Sequence, residues 1–294
     1  MNVKQIGNVA EAREWCSSVR ASGVQLGFVP TMGSLHAGHL ELVRRAAEEN
    51  GAACVSIFVN PLQFNDPKDL ERYPRNFAKD AELLDQAGCT MVFTGTLAEF
   101  FPTELDVDGH LASDYLRDPG MGAEGLEGET RPGHFAGVAT IVDRLFDVVE
   151  PDRAYFGAKD FQQTLVVREL ARRRGGPRII VHPTVREESG LAMSSRNSLL
   201  GPEGRAQGMF LSRALYAAKG AWNAGERRPR ALSRLMAGVM MEGELQIEYS
   251  AVRDPEAWAP GDAEGALERG IALVAARVKG ETGTVRLLDN LMLS

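Results

Sequence analysis

Cysteine is scarce in this chain: three in 294 residues, Cys16, Cys54 and Cys89, far apart and with no C-x-x-C pair. That spacing implies neither a disulfide framework nor a zinc knuckle, and a reduced, cytoplasmic setting is expected. Nowhere is there an apolar run long enough to cross a bilayer, so no membrane partner is expected. Met1 to Arg20 mixes acids and polar residues without a continuous apolar stretch, and no signal peptide is expected there. Basic charge is not in excess either. Against 40 Asp and Glu stand 33 Lys and Arg, a formal net charge of −7. Neutralising phosphates along a nucleic acid needs a basic face, so no nucleic-acid partner is expected. The cluster Arg172-Arg173-Arg174 closes a helical pattern just before Gly175-Gly176, where it complements a helix C-terminus. Internal repeats and low-complexity tracts are absent.

What is present is an ordinary globular composition, 44% hydrophobic and 25% charged, long enough for one large domain or two ordinary ones. Short apolar, β-branched runs predict strands at Leu26–Val29, Ala53–Val59, Met91–Phe93, Ala154–Phe156 and Ile179–Val181. Helical spacing fills the gaps at Leu40–Asn50, Phe77–Gln86, Val138–Val149 and Phe161–Arg173. Repeated β-α-β units imply a doubly wound parallel sheet. Ligands then sit beyond the carboxyl ends of the strands, where Pro30–His39, Asn60–Asn65 and Gly157–Gln163 are expected to converge. After about Val185 the pattern changes to helices at Gly201–Ala224 and Arg230–Met241. Strands follow at Gln246–Val252, Ala272–Val278 and Thr284–Leu288, with a loop near Pro255–Gly261. The expectation is an N-terminal α/β domain over residues 1–185 and a smaller α+β domain over residues 186–294 that acts as a lid.

The most informative stretch runs from Phe28 to Leu40, FVPTMGSLHAGHL. A strand-like run stops at a proline, a glycine-bearing turn with two histidines follows, and an amphipathic helix begins. Several free backbone N–H groups are expected at that helix N-terminus, where phosphate binds well. His36 and His39 admit three readings. One ring could simply cap the helix. The pair could share a metal, but a third ligand in register is missing and no H-E-x-x-H is present. Or the pair could hydrogen-bond phosphate oxygens and stabilise charge on a transferring phosphoryl group.

Other chemistry-bearing residues are weaker on their own. Lys159 and Asp160 form a cation–carboxylate pair on the turn after a strand, which elsewhere is usually a solvated ion pair. Met193-Ser194-Ser195-Arg196 offers two hydroxyls and a guanidinium, or a helix cap. Asn60, Gln63 and Gln163 are neutral amides, suited to hydroxyls and a carboxylate without added charge. Gly120-Met121-Gly122-Ala123-Glu124-Gly125 fits G-x-G-x-x-G, but it follows Asp118-Pro119 instead of a strand. It is expected to be a flexible loop and not a dinucleotide site. The phosphate loop G-x-x-x-x-G-K-[ST] is missing.

His36-Ala37-Gly38-His39 resembles the HIGH signature of the nucleotidyltransferase superfamily. Around it, Pro30-Thr31-Met32-Gly33, Phe58-Val59-Asn60-Pro61-Leu62-Gln63-Phe64 and Arg131-Pro132-Gly133-His134-Phe135 resemble the pantoate–β-alanine ligase family. So do Gly157-Ala158-Lys159-Asp160, Met193-Ser194-Ser195-Arg196-Asn197 and the closing Arg286-Leu287-Leu288-Asp289-Asn290, all in that family's order. The resemblance implies a Rossmann-like first domain. It implies ATP-dependent joining of pantoate to β-alanine through a pantoyl adenylate, with Mg²⁺ accompanying ATP, in a cytoplasmic homodimer. It implies catalytic roles for His39, His36, Lys159 and Arg196. The ATP site would comprise Met32, Gly33, Ser34, Leu35, His36, Ala37, Gly38 and His39 with Gly157, Ala158, Lys159 and Asp160. Val185, Met193, Ser194, Ser195 and Arg196 would complete it. Gln63, Gln163, Asn60 and Tyr73 would bind pantoate and β-alanine, and no protein metal ligands are implied. Ala158 departs from a position where glutamate is common, and the Pro119–Gly125 neighbourhood is unusually long. A nucleotidylyltransferase acting on another small substrate is the nearest rival. A class I aminoacyl-tRNA synthetase or a nucleotide-sensing module would be more distant alternatives.

Overall fold

The computed structural model describes residues 3–259, 261 and 265–293; Pro260, within the expected loop at Pro255–Gly261, lies outside them. In chain order the elements are β1 (Lys4–Ile6), α1 (Val9–Ala21), β2 (Leu26–Thr31), α2 (Ala37–Glu49), β3 (Ala52–Ile57), α3 (Pro67–Arg72), α4 (Phe77–Gln86), β4 (Met91–Phe93) and α5 (Leu97–Phe100). Then come α6 (Leu126–Thr130), α7 (His134–Val149), β5 (Arg153–Gly157), α8 (Phe161–Arg174), β6 (Arg178–His182), α9 (Pro202–Asn223) and α10 (Pro229–Met241). β7 (Gln246–Arg253), β8 (Ile271–Gly280) and β9 (Gly283–Met292) close the chain.

Two compact units result. The first holds residues 3–123, 131–157 and 162–182; the second holds 124–130, 158–161 and the described residues from 183 onward. In the first, six strands form a sheet in the order β1-β4-β3-β2-β5-β6, every pairing parallel. This is the expected doubly wound, Rossmann-like sheet. Successive strands build outward from β2 through β3 to β4, and β5 then returns to the other side of β2. That reversal is the switch point at which such sheets bind ligands.

The sequence of β2 opens the sheet there. β2 pairs with β3 from Leu26 to Thr31, but with β5 only at Gly27 and Phe28. Pro30 has no N–H to give a ladder and is excluded from strands paired on both sides. It lies where β5 has already parted, so the strand runs through the proline to Thr31 instead of ending at it. Beneath the opening the sheet is tightly filled. The Phe28 ring stacks on Phe93 and meets Phe146 edge-on, both at 6.5 Å between centroids. All three are fully buried, and each contributes about 2–3 kcal/mol of burial free energy.

Five elements have no counterpart in the sequence expectations: β1, α1 and the short helices α3, α5 and α6. β1 is three residues long and pairs only with β4. α1 buries just Val9, Ala12 and Cys16 and starts at Asn8, whose side chain accepts from the Glu11 N–H at 2.8 Å. The triple arginine ends α8 as expected, but its charges are also spent on neighbours. Arg172 and Arg173 pair with Glu169, Arg173 with Asp118, and Arg174 with Asp143 and Asp147. The glycine-rich segment is not a loose loop: residues 121–123 form one 3-10 turn, and Gly122 O accepts from Gln162 Nε2 at 3.1 Å.

The second unit is an antiparallel sheet, β7-β8-β9, with α9 and α10 laid against it. Leu215, Trp222, Met236, Met240, Val274 and Leu287 fill the space between. This matches the expected α+β pattern, with β8 and β9 longer than their apolar runs suggested. No helix among the described residues is long and apolar enough to cross a membrane.

All three cysteines are free and buried. Burial pushes the Cys54 thiol well above the usual range and the Cys89 thiol up to about 12. Since the thiolate is the reactive form, native protein should give almost no colour with dithiobis(nitrobenzoate) at pH 8, and three thiols after unfolding. Rapid titration of a thiol in the folded protein would contradict this burial.

Candidate active site

The turn after β2 is built to satisfy its own backbone. Gly33 (φ +80°) and Ser34 (φ +52°) are consecutive left-handed residues. Such a pair turns successive N–H groups toward one point and forms an anion nest. The anion is internal. The Asp80 carboxylate on α4, 2% exposed, accepts from the Ser34 and Leu35 N–H groups, each at 2.8 Å. Thr31 Oγ1 accepts from the Gly33 N–H at 3.2 Å. Gly33 is required because a Cβ there would sit 3.0 Å from Asp80 Oδ2, on top of an unfavourable φ. The expectation of several free amides is thus corrected: those of Gly33, Ser34 and Leu35 are already committed.

The histidines cap α2 reciprocally. His36 Nδ1 accepts from the Gly38 N–H at 3.1 Å, and His39 Nδ1 faces the His36 N–H at a longer 3.4 Å. Their rings lie 4.0 Å apart. Capping and function are therefore not alternatives. An Nδ1 that accepts carries no proton, so the neutral ring keeps its proton on Nε2. The cap selects a tautomer with its donor on the far side of each ring.

A second cluster in the same unit surrounds Gln63. Asn60, 2% exposed, donates to Gln63 Oε1 at 3.0 Å and to Gly137 O at 3.1 Å, and accepts from the Leu62 N–H at 3.2 Å. Gln63 Nε2 points its donor at Met32 Sδ, 3.2 Å away. Gln63 O takes a bond from His134 Nδ1 at 2.9 Å and one from Arg131 at 3.3 Å. The Arg131–Phe135 motif thus holds the backbone of the 61–63 turn, while Asn60 is chiefly a buried brace. Gly137 permits this contact: a Cβ there would fall 2.2 Å from Leu62 O. Tyr73 is buried, edge-on to Phe64 at 5.9 Å. Gln163 is half-buried on α8. A separate cavity of about 830 Å³ is walled by Met32, Gly33, Phe58, Arg75, Asp80 and Leu97 among others. Neither Gln63 nor Gln163 lines it.

The cationic residues belong to the second unit. Lys159 pairs with Asp160 at 3.2 Å and is 19% exposed. Ser194 caps the 195–199 turn by accepting from the Arg196 N–H at 3.3 Å. Val185 O accepts from the Met193 N–H at 2.9 Å. Asn197, buried below, donates to Glu187 at 2.9 Å and to Ala192 O at 3.0 Å. Lys159, Ser194 and Arg196 line one small recess together with Asp289, so the residues of two distant motifs are brought together. Sequence reasoning missed Asp80, Gly137 and Arg186, and gave Asp289 and Asn290 no task. Asp80, Gly137 and Arg186 stand in no pattern that separates them from ordinary helix or loop residues, while Asp289 and Asn290 stand in the closing Arg286–Asn290 motif, which shows no task for them.

A parallel sheet with a HIGH-like turn at its switch point places the chain among nucleotide-handling α/β proteins. The family model described as pantoate-beta-alanine ligase matches residues 4–292. The pantothenate synthetase of Herpetosiphon aurantiacus is 43% identical over 281 residues, covering 94% of this chain and 96% of that protein. That of Agrobacterium fabrum is 43% identical over 290 residues, covering 98% and 95%. The crystal structure of pantothenate synthetase from Thermus thermophilus superposes with a TM-score of 0.84 at 40% identity, covering 99% of both chains. A Francisella tularensis pantoate-beta-alanine ligase, complexed with a β,γ-ATP compound and β-alanine, gives 0.76 at 28% identity, covering 99% and 98%. The chain belongs to the pantoate–β-alanine ligase family.

The Asp80 clamp is open to test. Asp80→Ala strands two amides, and a buried donor left unpaired costs about 1–3 kcal/mol. Urea unfolding should show a loss of about 3 kcal/mol, with Asp80→Asn, which keeps one acceptor, in between. A loss below about 1 kcal/mol would mean that the turn does not depend on the carboxylate.

Proposed function

We propose that this chain joins (R)-pantoate to β-alanine at the expense of ATP, in two steps. A carboxylate oxygen of pantoate attacks the α-phosphorus, the bond to the bridging oxygen breaks, and pyrophosphate leaves. The amine of β-alanine then attacks the acyl carbon of the pantoyl adenylate. The carbon–oxygen bond to AMP breaks, the nitrogen loses its proton, and pantothenate remains. The observation that carries this reading is the pair of Nδ1-tied imidazoles at the switch point. Each presents an Nε2 donor suited to oxygens on which charge grows.

The roles follow from chemical type. His36 and His39 donate to phosphate oxygens at the reacting centre. Lys159, Ser194, Ser195 and Arg196 neutralise the triphosphate, with the backbone of residues 157–160 and 185 beside it. Among the described residues the one cluster of three metal-ligand atoms is Asp106, Asp108 and His110, all exposed, and none is a residue of the proposed site. Asp80 and Asp160 are engaged by two amides and by Lys159. Mg²⁺ is read as arriving on the phosphates, as part of the substrate. Gln63 and Gln163 read the hydroxyls and carboxylate of pantoate, Asn60 braces Gln63, and Tyr73 lines the pocket. No protein nucleophile is needed, in keeping with buried thiols of raised pKa. The same reading includes a homodimer through the first unit, a cytoplasmic setting, and a second unit that acts as a lid. The free, buried cysteines support the reduced setting.

The experiment that tests the activity is pyrophosphate release from ATP with and without pantoate, followed by mass detection of pantothenate on adding β-alanine. Release without pantoate, or without amide formation, would return the reading to a nucleotidylyltransferase.

His39 separates capping from chemistry. In His39→Asn a side-chain oxygen can replace Nδ1 at the cap, while the Nε2 donor is lost. Adenylate formation should slow about a hundredfold or more, the cost of removing one such donor, with thermal stability close to wild type. His39→Gln, which carries an amide near the Nε2 position, should recover part of the rate. Full turnover in His39→Asn would remove the residue from the mechanism.

Gln63→Met leaves polar groups of pantoate unpaired at about 1–3 kcal/mol each. Pantoate affinity should fall roughly tenfold or more while ATP affinity holds. Calorimetric titrations in which ATP binding suffers most would reassign Gln63 to the nucleotide.

A further inference from the structure

Strand β9 carries two residues that the scheme above does not use. The Asn290 side chain, 7% exposed, donates to two successive carbonyls, Ala158 O at 2.9 Å and Lys159 O at 2.6 Å. Those carbonyls belong to the peptide planes on either side of the Lys159 Cα. Fixing both planes fixes φ and ψ of Lys159, and with them the direction in which its side chain leaves the backbone. A turn outside any sheet ladder has no other regular means of doing this.

Asp289 extends the hold. Its carboxylate, 3% exposed, accepts from the Asn290 backbone N–H at 2.8 Å and from both arms of Arg186 at 2.6 and 3.0 Å. Arg186 donates in turn to Asn290 O at 3.1 Å and to Gly190 O at 3.0 Å, and it forms a backbone bridge with Ala192. A continuous chain of bonds therefore runs from the Lys159 turn to the segment leading into Met193–Arg196. Forked, charge-assisted contacts of this kind fix direction as well as distance.

We propose that Asp289 and Asn290 are positioning residues. They set the Lys159 ammonium and the Ser194–Arg196 segment in one register so that both meet the triphosphate together. The proposal rests on the reading that Lys159 acts on the phosphates, and it predicts a defect confined to the half-reaction in which pyrophosphate leaves.

The test is single-turnover kinetics of Asn290→Ala, Lys159→Ala and the double variant, in the full chain. A misplacement of about 1 Å costs up to roughly a hundredfold in rate. Asn290→Ala should therefore slow adenylate formation between about tenfold and a hundredfold. Its attack by β-alanine on preformed pantoyl adenylate should stay within about threefold of wild type, because that step gains nothing from a phosphate cation whose pyrophosphate has gone. The loss should fall on kcat, leaving the KM for pantoate unchanged. Because the two residues act as one unit, the double variant should be no more than about threefold slower than Lys159→Ala alone. Asn290→Ser, shorter but still a donor, should lie between wild type and Asn290→Ala, and it serves if the alanine variant does not fold. Additive losses in the double variant, or equal losses in both half-reactions, would overturn the proposal. A normal Asn290→Ala beside a crippled Lys159→Ala would overturn it alone. A normal Lys159→Ala would overturn the role of Lys159 first and this proposal with it.

Discussion

The grip of the Asp80 carboxylate on the Ser34 and Leu35 amides is the contact on which the turn between β2 and α2 depends. Parallel strands send every β-to-α turn to one edge of the sheet. The turn after β2 must make a sharp left-handed step there, through Gly33 and Ser34. Its N–H groups then converge and need an anion. Supplying that anion from α4 makes the turn complete before any substrate arrives. It also commits those amides, so that on the proposed reading the work that a glycine-rich phosphate loop does with backbone falls to side chains. The imidazoles are suited to it because one nitrogen of each can be used up in capping α2 while the other keeps a donor.

The second unit follows the same logic with different residues. Lys159 lies on a turn outside any ladder, and its backbone is held from β9 by Asn290. The 193–199 segment is held by Val185 O and by Asn197. In both units a buried polar side chain saturates the backbone of a loop, and on the proposed reading the functional group projects from the loop so fixed. Buried polar networks of this kind are costly when incomplete, which ties the exactness of each loop to a few residues away from the substrate.

How much of this was legible in the sequence depends on the kind of interaction. Strands β2, β3 and β4 could be read because both faces of a parallel sheet are covered, which leaves continuous apolar runs such as Ala-Ala-Cys-Val-Ser-Ile. β1, with one buried residue in three, carries no such signal. Helix α1 buries mostly small residues, so its stripe is faint. The proline in β2 looked like a stop because the sequence cannot show that β5 parts from β2 after Phe28. Local motifs singled out His36, His39, Gln63 and Lys159 as candidates. Asp80 and Asn290 act across 45 and 131 residues; nothing near Asp80 distinguishes it from a surface acid, and the closing Arg286–Asn290 motif that contains Asn290 does not show which backbone its amide holds. The glycine run at 120–125 shows the converse: a local pattern with no tertiary partner of the right kind becomes a packed turn against Gln162.

The charge arrangement of the second unit bears on turnover as well as binding. Lys159 faces Asp160, and Arg186 faces Asp289, but the two pairs differ in exposure. In the Arg186 pair the carboxylate is buried, and removing its partner would leave a charge in a poorly solvated place at a cost of several kcal/mol. It is therefore suited to structure. Asp160 is 44% exposed, so water can take over its carboxylate when Lys159 turns to another anion, and the pair itself is worth little. On the proposed reading a triphosphate, with several negative charges, displaces Asp160 from the ammonium at small cost. Once pyrophosphate has gone, the carboxylate can close on Lys159 again. An exposed partner thus keeps the cation oriented between turnovers without holding it back, whereas a buried one would compete with the substrate.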